Sequence, residues 1–259
     1  MKYYVIDAFT DKPFHGNPAG VCPLTEWLPD DTMQSIASEN NLSETAFFVP
    51  GGNYYDLRWF TPEAEVDLCG HATLASAFVL MNFIDPSMER VEFHSQSGPL
   101  FVSRNGDIFT LDFPSRPPVP CEKPSILERA LGVPVLETHE SRDVVALVAD
   151  EHTVESISPD FALLKQIDTF AVVVTAKGDT CDFVSRFFTP QEGINEDPVT
   201  GSSHSTLIPF WSARLGKKQM IARQLSRRGG ELTVEDCGER VKIGGKAVCY
   251  LKGEIEINA

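Results

Sequence analysis

The chain has 259 residues, of which 42% are hydrophobic and 17 are phenylalanine, enough apolar material for one large domain or two of ordinary size and too much for a disordered chain. A formal charge of −15 repels phosphate backbones and anionic lipid, so nucleic acid and membrane surfaces are not expected partners, whereas a small substrate remains compatible. Six scattered cysteines include no C-x-x-C pair and none at zinc-ligand spacing with a histidine, so they read as reduced thiols and no metal site is expected.

The first elements are strands: "YYVIDAF", "TAFFVP", "YDLRWFT", "VEFHSQS", "PLFVSR" and "IFTLDF" all precede residue 114. Many are rich in β-branched and aromatic residues, and turn signals separate them. Two helices are predicted among them, over "DDTMQSIASENN" and "HATLASAFVLMNF"; the second has almost no charge and should be buried on all sides. The Pro-rich "FPSRPPVPCEKP" reads as a linker. Strands then resume with "VVALVAD", "TFAVVVTA", "DFVSRFFT", "ELTVED", "RVKIGG" and "AVCYLKGEIEI", and helices are predicted over "SILERALG", "DFALLKQI" and "VTGSSHSTLIPFWSARLG". "RRGGEL" and "KIGGKA" read as hairpin turns. "MKYYVIDAFTDK" meets Asp7 too early for a signal-peptide core, and the longest apolar runs are strand-sized, so a cytoplasmic location is expected.

A long internal repeat organises these elements. "RWFTPEAEVDLCGHATL" from Arg58 returns as "RFFTPQEGINEDPVTGSSHSTL" from Arg186, and Gly70 aligns with Gly201 at an offset of 131 (201 − 70) that also aligns Glu65 with Glu196. The expected fold is α+β, with two pseudo-symmetric halves, each a curved, mainly antiparallel sheet wrapped around a central helix. The N-terminal half spans 1–113, with a C-terminal strand at about 247–259 pairing back onto it, and the C-terminal half spans 114–246.

The repeat concentrates polar chemistry where each strand gives way to its helix. A helix start exposes unpaired backbone N–H groups at the positive end of a dipole, and small residues let an anion approach them. Gly70, Ala72, Gly201, Ser202 and Ser203 give that access. Asp197-Pro198 reads as an N-cap followed by the first helical position. If a twofold relation joins the halves, the two starts face each other across a small carboxylate. His71, at a helix N-terminus, is expected to stay neutral. Glu44, in "NNLSETAFF", is the candidate general acid/base, and Asn17, in "GNPAG", sits in an apparent turn from which it can reach a ligand. His204 falls inside the second helix as a structural residue or a wall of the site.

"DAFTDKPFHGNPAGV", "NNLSETAFF", "RWFTPEAEVDLCGHATLASA", "SRFFTPQEGINEDPVTGSSH" and "LSRRGGEL", in that order from residue 7 to about 232, resemble the phenazine-biosynthesis PhzF-like isomerases. The resemblance implies a diaminopimelate-epimerase-like fold with the site between the halves, no cofactor, a small anionic or zwitterionic metabolite as substrate, and commonly a homodimer. It makes Glu44 the proton-transferring residue with His71 and Asp197 assisting, and Ser43, Gly70, Gly201 and Ser202 substrate-contacting positions. The related epimerases place a cysteine before the glycine at each helix start; here the positions hold Cys69 and Thr200, which favours one base, Glu44, over a thiol pair. Two alternatives stand beside this reading: an epimerase or racemase using Cys69 with a non-thiol partner, and a non-catalytic member that binds small molecules or protein.

Overall fold

A strand such as "TAFFVP" is apolar at successive positions, so it must lie in a sheet covered on both faces. The computed structural model, which describes residues 1–257, shows how the cover is supplied. The chain forms two units, Met1–Asp112 with the segment from Gly244 onward, and Phe113–Ile243.

In chain order the first unit contains β1 (Lys2–Ala8), β2 (Asn17–Pro23), α1 (Asp30–Asn40), β3 (Glu44–Pro50), β4 (Tyr55–Phe60), β5 (Glu65–Val66), α2 (Gly70–Val79), β6 (Arg90–Ser95), β7 (Gly98–Asn105) and β8 (Ile108–Pro114). Strand β2 runs antiparallel to β1 and parallel to β3; β3 is antiparallel to β4, and β4 is parallel to β6. Strand β5 folds back on β4, and β6, β7 and β8 form a meander. Helix α2 packs against β1, β2, β3 and β7, with every residue but Phe78 buried, then widens into a π-helical stretch at Leu80–Ile84. On the opposite face, Met33, Ile36 and Ala37 of α1 close over Tyr3, Val5, Phe47 and Phe60.

The second unit contains β9 (Val119–Pro120), α3 (Leu127–Leu131), β10 (Glu137–Glu140), β11 (Val144–Leu147), α4 (Glu151–Ser156), α5 (Phe161–Leu164), β12 (Val172–Lys177), β13 (Phe183–Thr189), β14 (Ile194–Asp197), α6 (Gly201–Leu215), β15 (Gln219–Gln224) and β16 (Gly230–Asp236). Its pairings repeat those of the first unit. Strand β10 is antiparallel to β11, β11 parallel to β12, β12 antiparallel to β13, β13 parallel to β15, and β15 antiparallel to β16, while β14 folds back on β13. Helix α6 takes the place of α2: Trp211 stacks on Phe183 and donates from Nε1 to Thr175 Oγ1 at 2.9 Å. Residues of α3, α4 and α5 cover the other face, packing with Val172, Val174 and Phe188. The architecture is α+β, with one central helix per unit and further helices outside. The chain leaves the second unit through β17 (Arg240–Gly245), and β18 (Ala247–Glu254) pairs antiparallel with β1.

Several local expectations are corrected. "FPSRPPVPCEKP" is not a free linker: Ser115 and Arg116 donate backbone bonds to Glu239 and Ser205, and Cys121 to Thr138, while Pro114 and Pro120 sit at strand ends that need few donors. "KIGGKA" is not a hairpin turn, because only Lys246 separates β17 from β18; a Cβ on Gly245 would lie 2.4 Å from the Phe9 ring, so close packing is what requires that glycine. "GNPAG" is a turn only at Gly16, whose φ of +64° and a Cβ position 2.1 Å from Ala8 O admit nothing larger; Asn17 already belongs to β2.

Candidate active site

Each predicted residue can be placed within its own unit. In the first, parallel pairing sets Glu44, the opening residue of β3, beside Ala19 of β2, two residues after Asn17. Cys69 is the N-cap of α2, and Gly70, His71 and Ala72 form its first turn, all buried. These elements bring four side chains together. His71 Nε2 lies 3.1 Å from Glu44 Oε2, and its Nδ1 lies 3.2 Å from Asn17 Nδ2 and 3.5 Å from Cys69 Sγ. The Nε2–Oε2 approach is at ion-pair distance but not along a hydrogen-bond direction, and both atoms are buried with no hydrogen-bond partner among the described residues. Ser43 stands half-buried just before Glu44.

The electrostatics reverse one expectation. Burial alone would lower the His71 pKa, but its contacts with Cys69 and Glu44 outweigh burial and hold it well above the ordinary histidine value. These contacts act on the ring against the preference of the helix dipole for a neutral imidazole. Burial first, and then the Glu44 charge, push the Cys69 thiol up to about 11. Glu44, Cys69 and His71 also offer an oxygen, a sulfur and a ring nitrogen all within 4.8 Å of one another, donors that a divalent cation could use. Binding one there would displace the thiol proton and the imidazolium proton.

The second unit repeats the frame with different side chains. Helix α6 begins at Gly201 with Thr200 as N-cap, so Asp197 is not the cap; it ends β14 and accepts the Thr200 hydroxyl. The cause is the β14 pairing, which keeps Asp197 extended opposite Phe187. Cys69 and Thr200 thus occupy matching N-caps, and Thr73 and His204, also 131 apart (204 − 73), each return a side-chain donor to the N-cap carbonyl. His204 is buried, and burial lowers its pKa to about 4, so its neutral ring donates from Nδ1 to Thr200 O at 2.8 Å. Ser203 is occupied within this turn, donating to Thr200 O at 2.9 Å, whereas Ser202 Oγ accepts from Arg142 Nη2 at 3.3 Å.

Two residues that motif reading passed over complete this turn. Gln224 accepts the Thr200 N–H at 2.8 Å and donates to Asp197 O at 2.7 Å. Alternation in "QMIARQ" carries the signal: Met220, Ala222 and Gln224 all face inward, and a fully buried glutamine needs partners. Arg142 lies in a stretch with no motif to mark it.

The relatives of the chain are isomerases, and its fold is that of epimerase-like proteins. The fold is shared by a predicted epimerase from Pseudomonas aeruginosa, at a TM-score of 0.76 and 18% identity over 99% of both chains. The chain belongs to the PhzC-PhzF family, described as phenazine biosynthesis-like protein, whose model matches residues 6–253. An uncharacterised isomerase of Pseudomonas aeruginosa is 50% identical over 257 residues, 99% of each chain. A crystal structure of a PhzF-family phenazine biosynthesis protein from Enterococcus faecalis matches with a TM-score of 0.97 and 51% identity over 99% of both chains. Isomerase is the enzyme class shared with these relatives. Among the described residues, no helix is long and apolar enough to cross a membrane.

Proposed function

We propose that the protein moves a proton, and with it a double bond, within a small carboxylate or amino-acid-like metabolite, using Glu44 as its single acid/base. The observation that carries this reading is the buried 3.1 Å contact between Glu44 Oε2 and His71 Nε2. Glu44 Oε2 is the oxygen placed to accept a proton from an activated carbon. His71 can then stabilise the negative charge that develops on the substrate, together with backbone amides of the first turn of α2. Oriented donors of this kind are worth about 3 kcal/mol each. Glu44 returns the proton to a second carbon on the same face.

Threonine at the second N-cap supports one base over two, since a hydroxyl lacks the acidity for thiol-type racemisation. Asp197 and the Gly201–Ser203 start are assigned the corresponding polar role in the second unit, orienting an amine or hydroxyl. We assign the protein to the cytoplasm as a homodimer, needing no cofactor.

The test is deuterium uptake in D2O from pools of small carboxylates, read by mass spectrometry. Glu44→Gln should abolish uptake while ligand-induced thermal stabilisation persists; unchanged uptake refutes the assignment. A second reading, epimerisation through Cys69, draws on the thiol's 3.5 Å approach to His71 Nδ1. Under that reading Cys69→Ser is severe, and under ours it is mild.

A further inference from the structure

The two ring nitrogens of His71 face different neighbours within the first unit. Nε2 lies 3.1 Å from Glu44 Oε2, and Nδ1 lies 3.2 Å from Asn17 Nδ2. Cys69 Sγ, at 3.5 Å, is the other neighbour of Nδ1 and a weaker partner. Exposure falls along this line: the Glu44 side chain keeps 15% of its surface open, the His71 side chain 5%, and Asn17 is 0% exposed. A small molecule arriving from solvent meets Glu44 first and His71 next, with Asn17 behind the ring. The backbone keeps the amide there. Asn17 opens β2 and pairs with Ala8 of β1, and Gly16, which has no room for a Cβ, sets the turn before it.

The second unit has a support of the same kind. Ser202 stands 131 residues after His71 (202 − 71), and each is the second residue of its central helix. Arg142, from the bend between β10 and β11, donates to Ser202 Oγ at 3.3 Å, just as Asn17, which follows the bend after β1, meets His71. In both units a side chain from a hairpin bend braces the same helix position.

We propose that Asn17 is a positioning residue whose amide holds the His71 ring with Nε2 toward Glu44, rather than a group that touches the substrate. This rests on the reading in which Glu44 transfers the proton and His71 steadies the developing charge. Which nitrogen of a histidine carries the proton is set by the hydrogen bond that the other makes. Asn17 Nδ2 donates to Nδ1 of a neutral ring, which leaves the ring proton on Nε2, beside Glu44. When the ring is cationic, the amide can turn over and accept from Nδ1–H through its oxygen. An amide therefore keeps its hold in both charge states, whereas a carboxylate can only accept.

The test compares the wild-type protein with Asn17→Leu and Asn17→Asp, both close to asparagine in size, by nitrogen NMR of the imidazole and by deuterium uptake from pools of small carboxylates. Once neutral, the His71 ring should carry its proton on Nε2 in the wild-type protein and on Nδ1 in Asn17→Asp. Asn17→Leu should slow uptake by about tenfold, the value of one lost hydrogen bond, and Asn17→Asp should recover most of that loss where the ring is cationic, because it keeps a partner on Nδ1. The same tautomer in wild type and Asn17→Asp overturns the assignment. Slower uptake in Asn17→Asp than in Asn17→Leu also overturns it, since a charge that repels the carboxylate would mean that Asn17 touches the substrate. So does a wild-type ring whose neutral form carries its proton on Nδ1, a measurement that needs no variant. In each of these cases Glu44-dependent uptake by the wild-type protein leaves the isomerase reading standing.

Discussion

Gln224 holds Thr200 by both ends: its Oε1 accepts the backbone amide at 2.8 Å, and its Nε2 donates to the hydroxyl at 3.2 Å. The same Nε2 reaches Asp197 O, so one buried side chain from β15 ties the end of β14 to the start of α6. Gln224→Leu fills the space but strands the Thr200 amide. A buried group left without its bond costs about 1–3 kcal/mol, so the variant should lose about that much in chemical denaturation. Gln224→Glu should be no better, because it restores the acceptor without the donor and buries a charge. Wild-type stability in Gln224→Leu would show that the turn holds itself.

The forked pairs Arg58–Glu65 and Arg186–Glu196 recur at matching places but should differ in weight. Arg58 grips Glu65 with two 2.7 Å bonds and is 22% exposed; Arg186 grips Glu196 at 2.7 and 3.0 Å, is 11% exposed, and also donates to the carbonyls of Val154 and Ile157. Arg58→Met should therefore cost about 1–2 kcal/mol and Arg186→Met about 3–5 kcal/mol, since the latter leaves a less exposed carboxylate and two carbonyls unpaired. Equal losses in urea titrations would mean that the extra bonds contribute nothing.

The repeat made much of this fold legible before any coordinates. Aromatic and β-branched runs marked the long strands, and the uncharged "ATLASAFVLMNF" marked a central helix. What escaped notice is short or paired by context. Strands β5, β9 and β14 have two to four residues each, too few to show a period. Asp197-Pro198 carries a capping signature, but long-range pairing with β13 overrides it. At the site, the repeat singled out His71, while "LSETAFF" and "GNPAG" singled out Glu44 and Asn17, whose side chains both reach His71. The charge on His71 was not legible, since it depends on which atom faces Glu44 across 3.1 Å. Gln224 and Arg142 act through contacts of 24 and 60 residues' separation, which no local pattern encodes.

Cys69 should be inert to alkylation. Burial and the Glu44 charge push its thiol up to about 11, so almost no thiolate exists at pH 7.5, and the sulfur is enclosed. Cys237 is exposed. Brief treatment of the native protein with iodoacetamide, followed by peptide mass spectrometry, should label Cys237 and leave Cys69 unmodified. Rapid labelling of Cys69 would place it among reactive thiols and favour epimerisation through sulfur.

The His71–Glu44 pair predicts a particular dependence of stability on pH. The folded-state pKa of His71 is raised above its ordinary value of 6.5, so folding favours the protonated ring. The stabilisation is fully present below about 6.5, provided Glu44 remains ionised, and is lost as pH rises through the raised value. His71→Gln should therefore melt well below the wild-type protein at pH 6 and approach it at pH 9 and above. Glu44→Gln should shrink the same profile, because it removes one of the two groups, with Cys69, that hold the proton on the ring. An NMR titration of the imidazole gives the direct check: His71 should still be cationic at pH 7, and a ring that deprotonates near 6 would break the electrostatic basis of the proposed mechanism.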